Sequence, residues 1–440
     1  MIPLLRLSRP DDAARVGAII ARLRLDPRDL ASAGGHRAEA SAVVQKQLAD
    51  VAARGDAALV EIARQFDDPG FTKDRLRVTV DDMAAAASRI SPALRAALER
   101  SIDQVREYQS HVLPTPPTPL RRGGVELGMK FSPIDSAGVY FPGGKAAYPS
   151  SLIMLAVPAQ VARVGRIAVV TPASAFGQSD VVLAAAHLSG VSEMYRCGGA
   201  AAIGALAFGT ETIPAVDKIV GPGNAYVQLA KRFVSGGVGI DGFLGPSEIL
   251  TLADDTAEAR FVAADLIAQA EHDPGSCFLL TTSEALATRV ADEITAQIRL
   301  LPRAAAIERA LREDSMIVLG DSLERLIDLA NAVACEHVNL QTRDDDLVLT
   351  KLRHAGAIYV GRYSPVAAGD YVAGPSHCLP TNTTARFASG ISVYEFFKRT
   401  SVVRYTQTGI GDDTPAIMQI AEAEGLGAHA ASVRVRGENR

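Results

Sequence analysis

Cysteine is scarce in this chain. Four occur in 440 residues (Cys197, Cys277, Cys335 and Cys378), no two of them close in sequence. That excludes a disulfide framework and any CxxC metal knuckle, and leaves reduced thiols in a cytosolic enzyme as the simple reading. Excess positive charge is missing too: 45 Lys+Arg stand against 50 Asp+Glu, a formal charge of −5, with no basic stripe to hold nucleic acid. Gly, Pro or a charge interrupts every apolar run before it reaches membrane-span length. The first residues, Met1-Ile2-Pro3-Leu4-Leu5 with Arg6 and Arg9 close behind, carry no signal pattern. The expectation is a soluble cytoplasmic protein with no nucleic-acid or membrane partner.

What is present is globular composition, 48% hydrophobic and 22% charged. At roughly 100–200 residues per domain it predicts two or three domains. Residues 1–30 read as a small helical arm and residues 38–110 as largely helical, with a strand-like stretch at Leu76-Arg77-Val78-Thr79-Val80. The Pro-rich segment 111–119 is a linker, and 125–139 reads as strands. From 137 to 247 short apolar strands, read at 166–171, 194–196 and 218–220, alternate with helices, and 248–390 repeats the rhythm with strands at 248–253, 277–281, 316–319, 338–340 and 357–360. This βαβα alternation predicts parallel sheets covered on both faces. The last 50 residues are too few for a core of their own and must dock elsewhere.

Few motifs carry chemistry by themselves. A literal dinucleotide fingerprint, Gly237-Val238-Gly239-Ile240-Asp241-Gly242, follows a helix and precedes Phe243-Leu244-Gly245-Pro246. The pyrophosphate cradle needs a strand before it and a helix after it, so context excludes it. Gln269 and His272 share one face at the end of a helix stopped by Pro274-Gly275. They suit a metal, or equally a solvated polar helix end. Asp370 and His377 lie in a Gly- and Pro-rich stretch that reads as a rigid loop carrying a site, or as plain turn chemistry. Glu336-His337 could set a base beside a water-activating carboxylate, or be edge-strand polar residues. His429 falls where a frayed tail is the bland expectation.

Taken together these motifs resemble histidinol dehydrogenase, from about residue 40 to His429. The resemblance is carried by Gly138-Val139-Tyr140-Phe141-Pro142-Gly143-Gly144, Gly221-Pro222-Gly223-Asn224, Gly245-Pro246-Ser247-Glu248, Gln269-Ala270-Glu271-His272-Asp273-Pro274-Gly275 and Glu336-His337. Further on come Gly369-Asp370-Tyr371, Gly374-Pro375-Ser376-His377, Lys398-Arg399-Thr400-Ser401-Val402 and Glu424-Gly425-Leu426-Gly427-Ala428-His429. Each is weak alone, and their joint occurrence in this order is specific.

The resemblance implies an α/β fold with two Rossmann-like parallel-sheet domains, a small N-terminal arm and a C-terminal helical extension. The implied boundaries are 1–24 for the arm, 25–136 with 248–390 for the domain carrying metal and catalytic residues, 137–247 for the second domain, and 391–440 for an extension exchanged in a homodimer. It implies oxidation of L-histidinol to L-histidine through L-histidinal with two NAD+, the last steps of histidine biosynthesis. Zinc would be held by Gln269, His272, Asp370 and His429. Those four and His337 would meet the substrate together with Ser247, His377 and Glu424, and Tyr140 and Asn224 would contact NAD. His337 would take the alcohol proton, Glu336 would activate water on the aldehyde, and His337 would assist the second hydride transfer.

The chain departs from the family at Ala201, where Gln is common and touches NAD, and in the Asp241-Gly242-Phe243-Leu244 wording before Gly245. The rival readings are a sister NAD- and zinc-dependent dehydrogenase acting on another polar amino or sulfo alcohol, and a catalytically dead binding protein on the same fold. Retention of His377 and Glu424 favours histidinol over the first, and intact Glu336 and His337 argue against the second.

Overall fold

The computed structural model describes residues 2–24, 36–144, 146–242, 245, 247–272 and 275–437. Two six-stranded sheets dominate. The first runs Leu4–Arg6, Met316–Leu319, Gly275–Thr281, Ser247–Ala253, His337–Gln341, Ala357–Val360, every neighbouring pair parallel. Its strands read as continuous apolar runs because both faces are covered. Gly275–Thr281 shows the two-residue alternation: Cys277 and Leu279 join the core under helices Ala259–Ala270, Glu284–Ile298 and Ala304–Glu313, while Phe278 and Leu280 join the opposite core. Helices Pro10–Leu23 and Leu323–Val333 close that opposite face.

The second sheet runs Arg77–Val78, Met194–Arg196, Arg166–Thr171, Ser136–Tyr140, Lys218–Val220, Gly239–Ile240, parallel except for Arg77–Val78. Tyr140, Val170, Tyr195 and Ile219 face one core, and Val139, Val169, Met194 and Val220 face the other. The fold class therefore matches the expectation, and the strands expected at 166–171, 194–196, 218–220, 316–319 and 357–360 are present with those bounds.

Three boundaries differ. Residues 36–111 do not belong with 248–390. Val44, Leu48, Leu59 and Phe71 pack on the second sheet's core, Met83 and Ala86 pack on its other face, and Arg77–Val78 extends its edge. A buried carboxylate ties the join: Asp56 accepts from Thr212 Oγ1 at 2.6 Å and pairs with Lys73 at 3.0 Å. The N-terminus is not a free arm either. Leu4–Arg6 pairs with Met316–Leu319, and Val16 of the following helix is buried beneath the first sheet. Thirdly, the C-terminal extension is not helical throughout: after the short 3-10 turn Val393–Phe396 it runs as a strand. Phe397–Tyr405 pairs antiparallel with Val125–Pro133, and Leu120–Arg122 completes a three-stranded sheet. The β-branched and aromatic residues Thr400, Val402, Val403 and Tyr405 favour that strand. Helices Gln407–Ala423 and Gly427–Gly437 follow it. Residues 25–35, Phe243, Leu244, Pro246 and the Asp273-Pro274 stop lie outside the described residues.

Candidate active site

The amino-terminal edge of the first sheet gathers the polar residues. Ser247 opens one central strand and His337 opens its parallel neighbour, with Ile249 opposite His337 in register. Leu323–Val333 ends at Ala334, whose φ of +47° is left-handed, and this tight reversal delivers Glu336 to the strand's start. A non-glycine residue in that conformation costs on the order of 1–2 kcal/mol, so surrounding contacts must hold it.

Glu336 is the hub. Its Oε2 accepts from Ser247 Oγ at 2.7 Å and from the Glu248 N–H at 2.8 Å. Gln269 Nε2 in turn donates to Ser247 Oγ. Glu336 and His337 are 6% and 2% exposed. His337 Nδ1 lies 2.9 Å from the Glu248 carbonyl and 3.4 Å from Glu336 Oε2. A carbonyl only accepts, so Nδ1 carries the proton, and in neutral His337 the lone pair sits on Nε2. Among the described residues Nε2 has no hydrogen-bond partner, and it stands 3.8 Å from Asp370 Oδ1. Burial works against the imidazolium, but the Glu336 and Asp370 carboxylates outweigh it and push His337 up to about 9. Tyr359 packs beside the imidazole, ring centroids 5.9 Å apart. A side chain at Gly369 would collide with the Tyr359 hydroxyl, which explains the glycine before Asp370.

His377 bridges the two sheets. Its Nδ1 donates to the Asp370 carbonyl at 2.8 Å, and Nε2 is 3.0 Å from Ser151 Oγ, at the start of helix Pro149–Val161 on the second sheet. Burial holds His377 below its usual value, so the neutral ring accepts the Ser151 hydroxyl proton. The amino edge of the first sheet thus meets the element that follows the carboxyl end of Ser136–Tyr140.

Glu248 faces a different environment from Glu336. Burial, reinforced by the neighbouring Glu336 charge and opposed by the Asn382 N–H, pushes it up to about 8. That N–H donates to Oε1 at 2.9 Å, while Oε2 has no partner. The donor comes from a strained turn: Asn382 and Thr383 are both left-handed, at φ +56° and +62°. Thr381 Oγ1, in the same turn, accepts from the Gly245 N–H at 2.6 Å.

Of the residues expected from sequence, Glu336, His337, Ser247, Gln269, Asp370 and His377 form this linked cluster. His272 follows the helix Ala259–Ala270 and is exposed. Glu424 and His429 are exposed on the C-terminal extension, and among the described residues no three His, Cys, Asp or Glu side chains form a metal-binding group. One chain therefore does not bring His272, Asp370 and His429 together. On the second sheet Tyr140 is buried with its hydroxyl bonded to the Gly199 backbone, and Asn224 Oδ1 caps helix Ala225–Val234 through the Tyr226 and Val227 N–H groups. Ala201 lies in the same buried apolar cluster as Tyr140. Sequence reasoning gave no role to Glu248, Ser151 or Tyr359. A carboxylate inside the apolar run Ser247-Glu248-Ile249-Leu250 was the readable signal for the first. Ser151 and Tyr359 join the site only through tertiary contact.

Two α/β domains meet at a buried imidazole beside a carboxylate, an arrangement chemically suited to proton transfer. The histidinol dehydrogenase family profile matches residues 31–437. Histidinol dehydrogenase from Gluconobacter oxydans is 44% identical over 410 residues, covering 93% of this chain and 95% of that one. The Rhodospirillum rubrum enzyme is 44% identical over 434 residues, 98% of each. The crystal structure of histidinol dehydrogenase from Elizabethkingia anophelis superposes with a TM-score of 0.90 at 34% identity, covering 99% of this chain and 98% of that one. This chain belongs to the histidinol dehydrogenase family of oxidoreductases.

The Glu248 environment has a measurable consequence. Between its unfolded value near 4.5 and about 8 the native state binds one proton more than the unfolded chain. That contribution to stability is therefore lost as pH rises through this window, by on the order of a few kcal/mol. Glu248→Gln keeps an acceptor for Asn382 and removes the titration. Thermal unfolding at pH 5, 7 and 9 should show the parent losing stability relative to the variant as pH rises. Parallel curves would contradict the assignment.

Proposed function

We propose that this protein oxidises L-histidinol to L-histidine through L-histidinal, reducing two NAD+. The observation that carries the reading is the orientation of buried His337: Nδ1 is committed to the Glu248 carbonyl, Nε2 faces Asp370, and a carboxylate stands one residue away. In this reading His337 Nε2 takes the alcohol proton as hydride leaves for NAD+. The aldehyde stays between the two sheets, where His377 and Ser151 close the cleft and exclude water that would release it. Glu336, held by Ser247 and the Glu248 N–H, then draws a proton from water as it adds to the aldehyde, protonated His337 returns its proton to the carbonyl oxygen to complete the hydrate, and neutral His337 serves again as base in the second oxidation. NAD+ would lie at the carboxyl edge of the second sheet, between Ser136–Tyr140 and Lys218–Val220, where strand order reverses. Tyr140 and Asn224 stand at that edge.

The donor chemistry fits zinc. Two imidazoles, one carboxylate and one amide oxygen are nitrogen and oxygen ligands that leave room for substrate. Gln269, His272 and Asp370 would hold it from one chain, with His429 from a second copy, and the ion would orient the amino-imidazole end of the substrate. Glu424 would reach the same site from that copy. Exposure of Glu424 and His429, on an extension that leaves its own two sheets by an antiparallel strand, supports an exchanged homodimer. The histidine-biosynthetic role and a cytoplasmic location follow from this reading. The alternative is a sister dehydrogenase acting on another amino or sulfo alcohol.

Steady-state turnover distinguishes them. Histidinol should outperform a panel of amino and sulfo alcohols and yield two NADH per molecule. Glu336→Gln should slow histidinal oxidation by about 10²–10⁴-fold while histidinol oxidation to the aldehyde falls far less. Equal loss on both substrates would give Glu336 a different role, and preference for another alcohol would favour the alternative.

The shared site is tested by mixing two inactive variants, His337→Ala and His429→Ala, and refolding them together. Half the dimers become mixed and each mixed dimer has one intact site, so activity should return to about a quarter of the parent's. No recovery, with subunit exchange proven by mass-tagged chains, would place the extension in cis.

A further inference from the structure

Asp241 stands inside the glycine pattern that context excludes as a dinucleotide fingerprint, and the structure gives it other partners. It follows the edge strand Gly239–Ile240 and forms an ion pair with Lys231, both side chains 0% exposed. Two fully buried charges are a poor stabilising device, because apolar side chains of similar volume commonly serve a core as well or better. Among the described residues, the other hydrogen bonds of both partners converge on one residue, at the two peptide groups that flank its Cα. Asp241 Oδ2 accepts the Gly221 N–H at 2.7 Å, and Lys231 Nζ donates to the Gly221 carbonyl at 3.1 Å.

Gly221 is itself unusual. Its φ is +125°, and a side chain there would drive into the Tyr140 carbonyl. It ends strand Lys218–Val220 and opens Gly221-Pro222-Gly223-Asn224, and Asn224 caps the helix that carries Lys231. The clamp thus closes on itself: strand, turn, helix, edge strand and back to the turn. The turn occupies the carboxyl edge at the point where strand order reverses.

We propose that the Lys231–Asp241 pair is a positioning device for the dinucleotide: it locks the Gly221 peptide, and with it the Gly221–Asn224 turn, in the orientation that receives NAD+. The proposal rests on the reading of this edge as the NAD+ site. It makes Lys231 and Asp241 positioning residues that touch neither substrate nor reacting atoms.

The test uses the full-length protein. Lys231→Met combined with Asp241→Leu replaces the pair with apolar side chains and leaves Gly221 without either partner. The expected result is a Tm within a few degrees of the parent, KM for NAD+ raised roughly tenfold for the lost hydrogen bonds, and kcat and KM for histidinol within about twofold. Lys231→Gln with Asp241→Asn keeps a donor and an acceptor for the two Gly221 groups without leaving a lone buried charge, and should raise KM for NAD+ by only about threefold. Unchanged KM for NAD+ in both variants overturns the proposal. So does a loss spread over kcat, histidinol KM and Tm together, which is what a merely structural pair predicts. Should the apolar pair fail to fold, the same split in Lys231→Gln with Asp241→Asn decides. Calorimetric titration with NAD+ separates the two layers. Binding by the parent with no weakening in the variants sinks the clamp alone, and no binding by the parent sinks the reading beneath it as well.

Discussion

One hydrogen bond sets the chemistry of this site. His337 Nδ1 gives its proton to the Glu248 carbonyl, and only because of that is Nε2 the atom that can take a proton. The bond is a by-product of sheet register. Ile249 pairs with His337, so the peptide before Ile249 meets the imidazole just before the ladder begins. The same residue's N–H fixes Glu336. Glu248 therefore orients the imidazole with its carbonyl and the Glu336 carboxylate with its amide, while its own side chain stays buried and is pushed up to about 8.

The rest of the architecture holds that edge in place. Left-handed Ala334, Asn382 and Thr383 are conformations that non-glycine residues adopt at a cost, and all three lie next to the cluster. Each aims a group: Ala334 turns the chain toward Glu336, and the Asn382 turn supplies donors and acceptors to Glu248 and Gly245. His377 extends the cluster across the cleft to Ser151, so the two sheets meet through a neutral imidazole bonded at both nitrogens.

Much of this was legible in the sequence where signals are local. Arg166–Thr171 and Met316–Leu319 read as buried strands from uninterrupted apolar runs, and the glycine pattern at 237–242 failed on its neighbours alone. Glu336-His337 stood out as charge at the mouth of an apolar strand. Other features had no local signal. Leu4–Arg6 is three residues long and becomes a strand only because Met316–Leu319 offers it an edge. The helices of 36–111 carry amphipathic faces that fit either sheet, and the two-residue strand Arg77–Val78 shows which one they cover. Ser151, Tyr359 and the Lys231–Asp241 pair are ordinary residues until tertiary contact places them. Among the expected site residues, Glu424 and His429 stand apart from the cluster, on an extension that contains the strand Phe397–Tyr405.

The most direct test of the central claim is the tautomer of His337. In 15N-labelled protein stripped of metal, with His337→Gln used to assign its signals among the eight histidines, the ring nitrogens can be followed through a pH titration by NMR. The account predicts that Nε2 loses its proton, with a midpoint near 9, and that the neutral ring keeps its proton on Nδ1. A neutral ring protonated on Nε2 would contradict it, because the atom assigned as the base would then have no lone pair to offer.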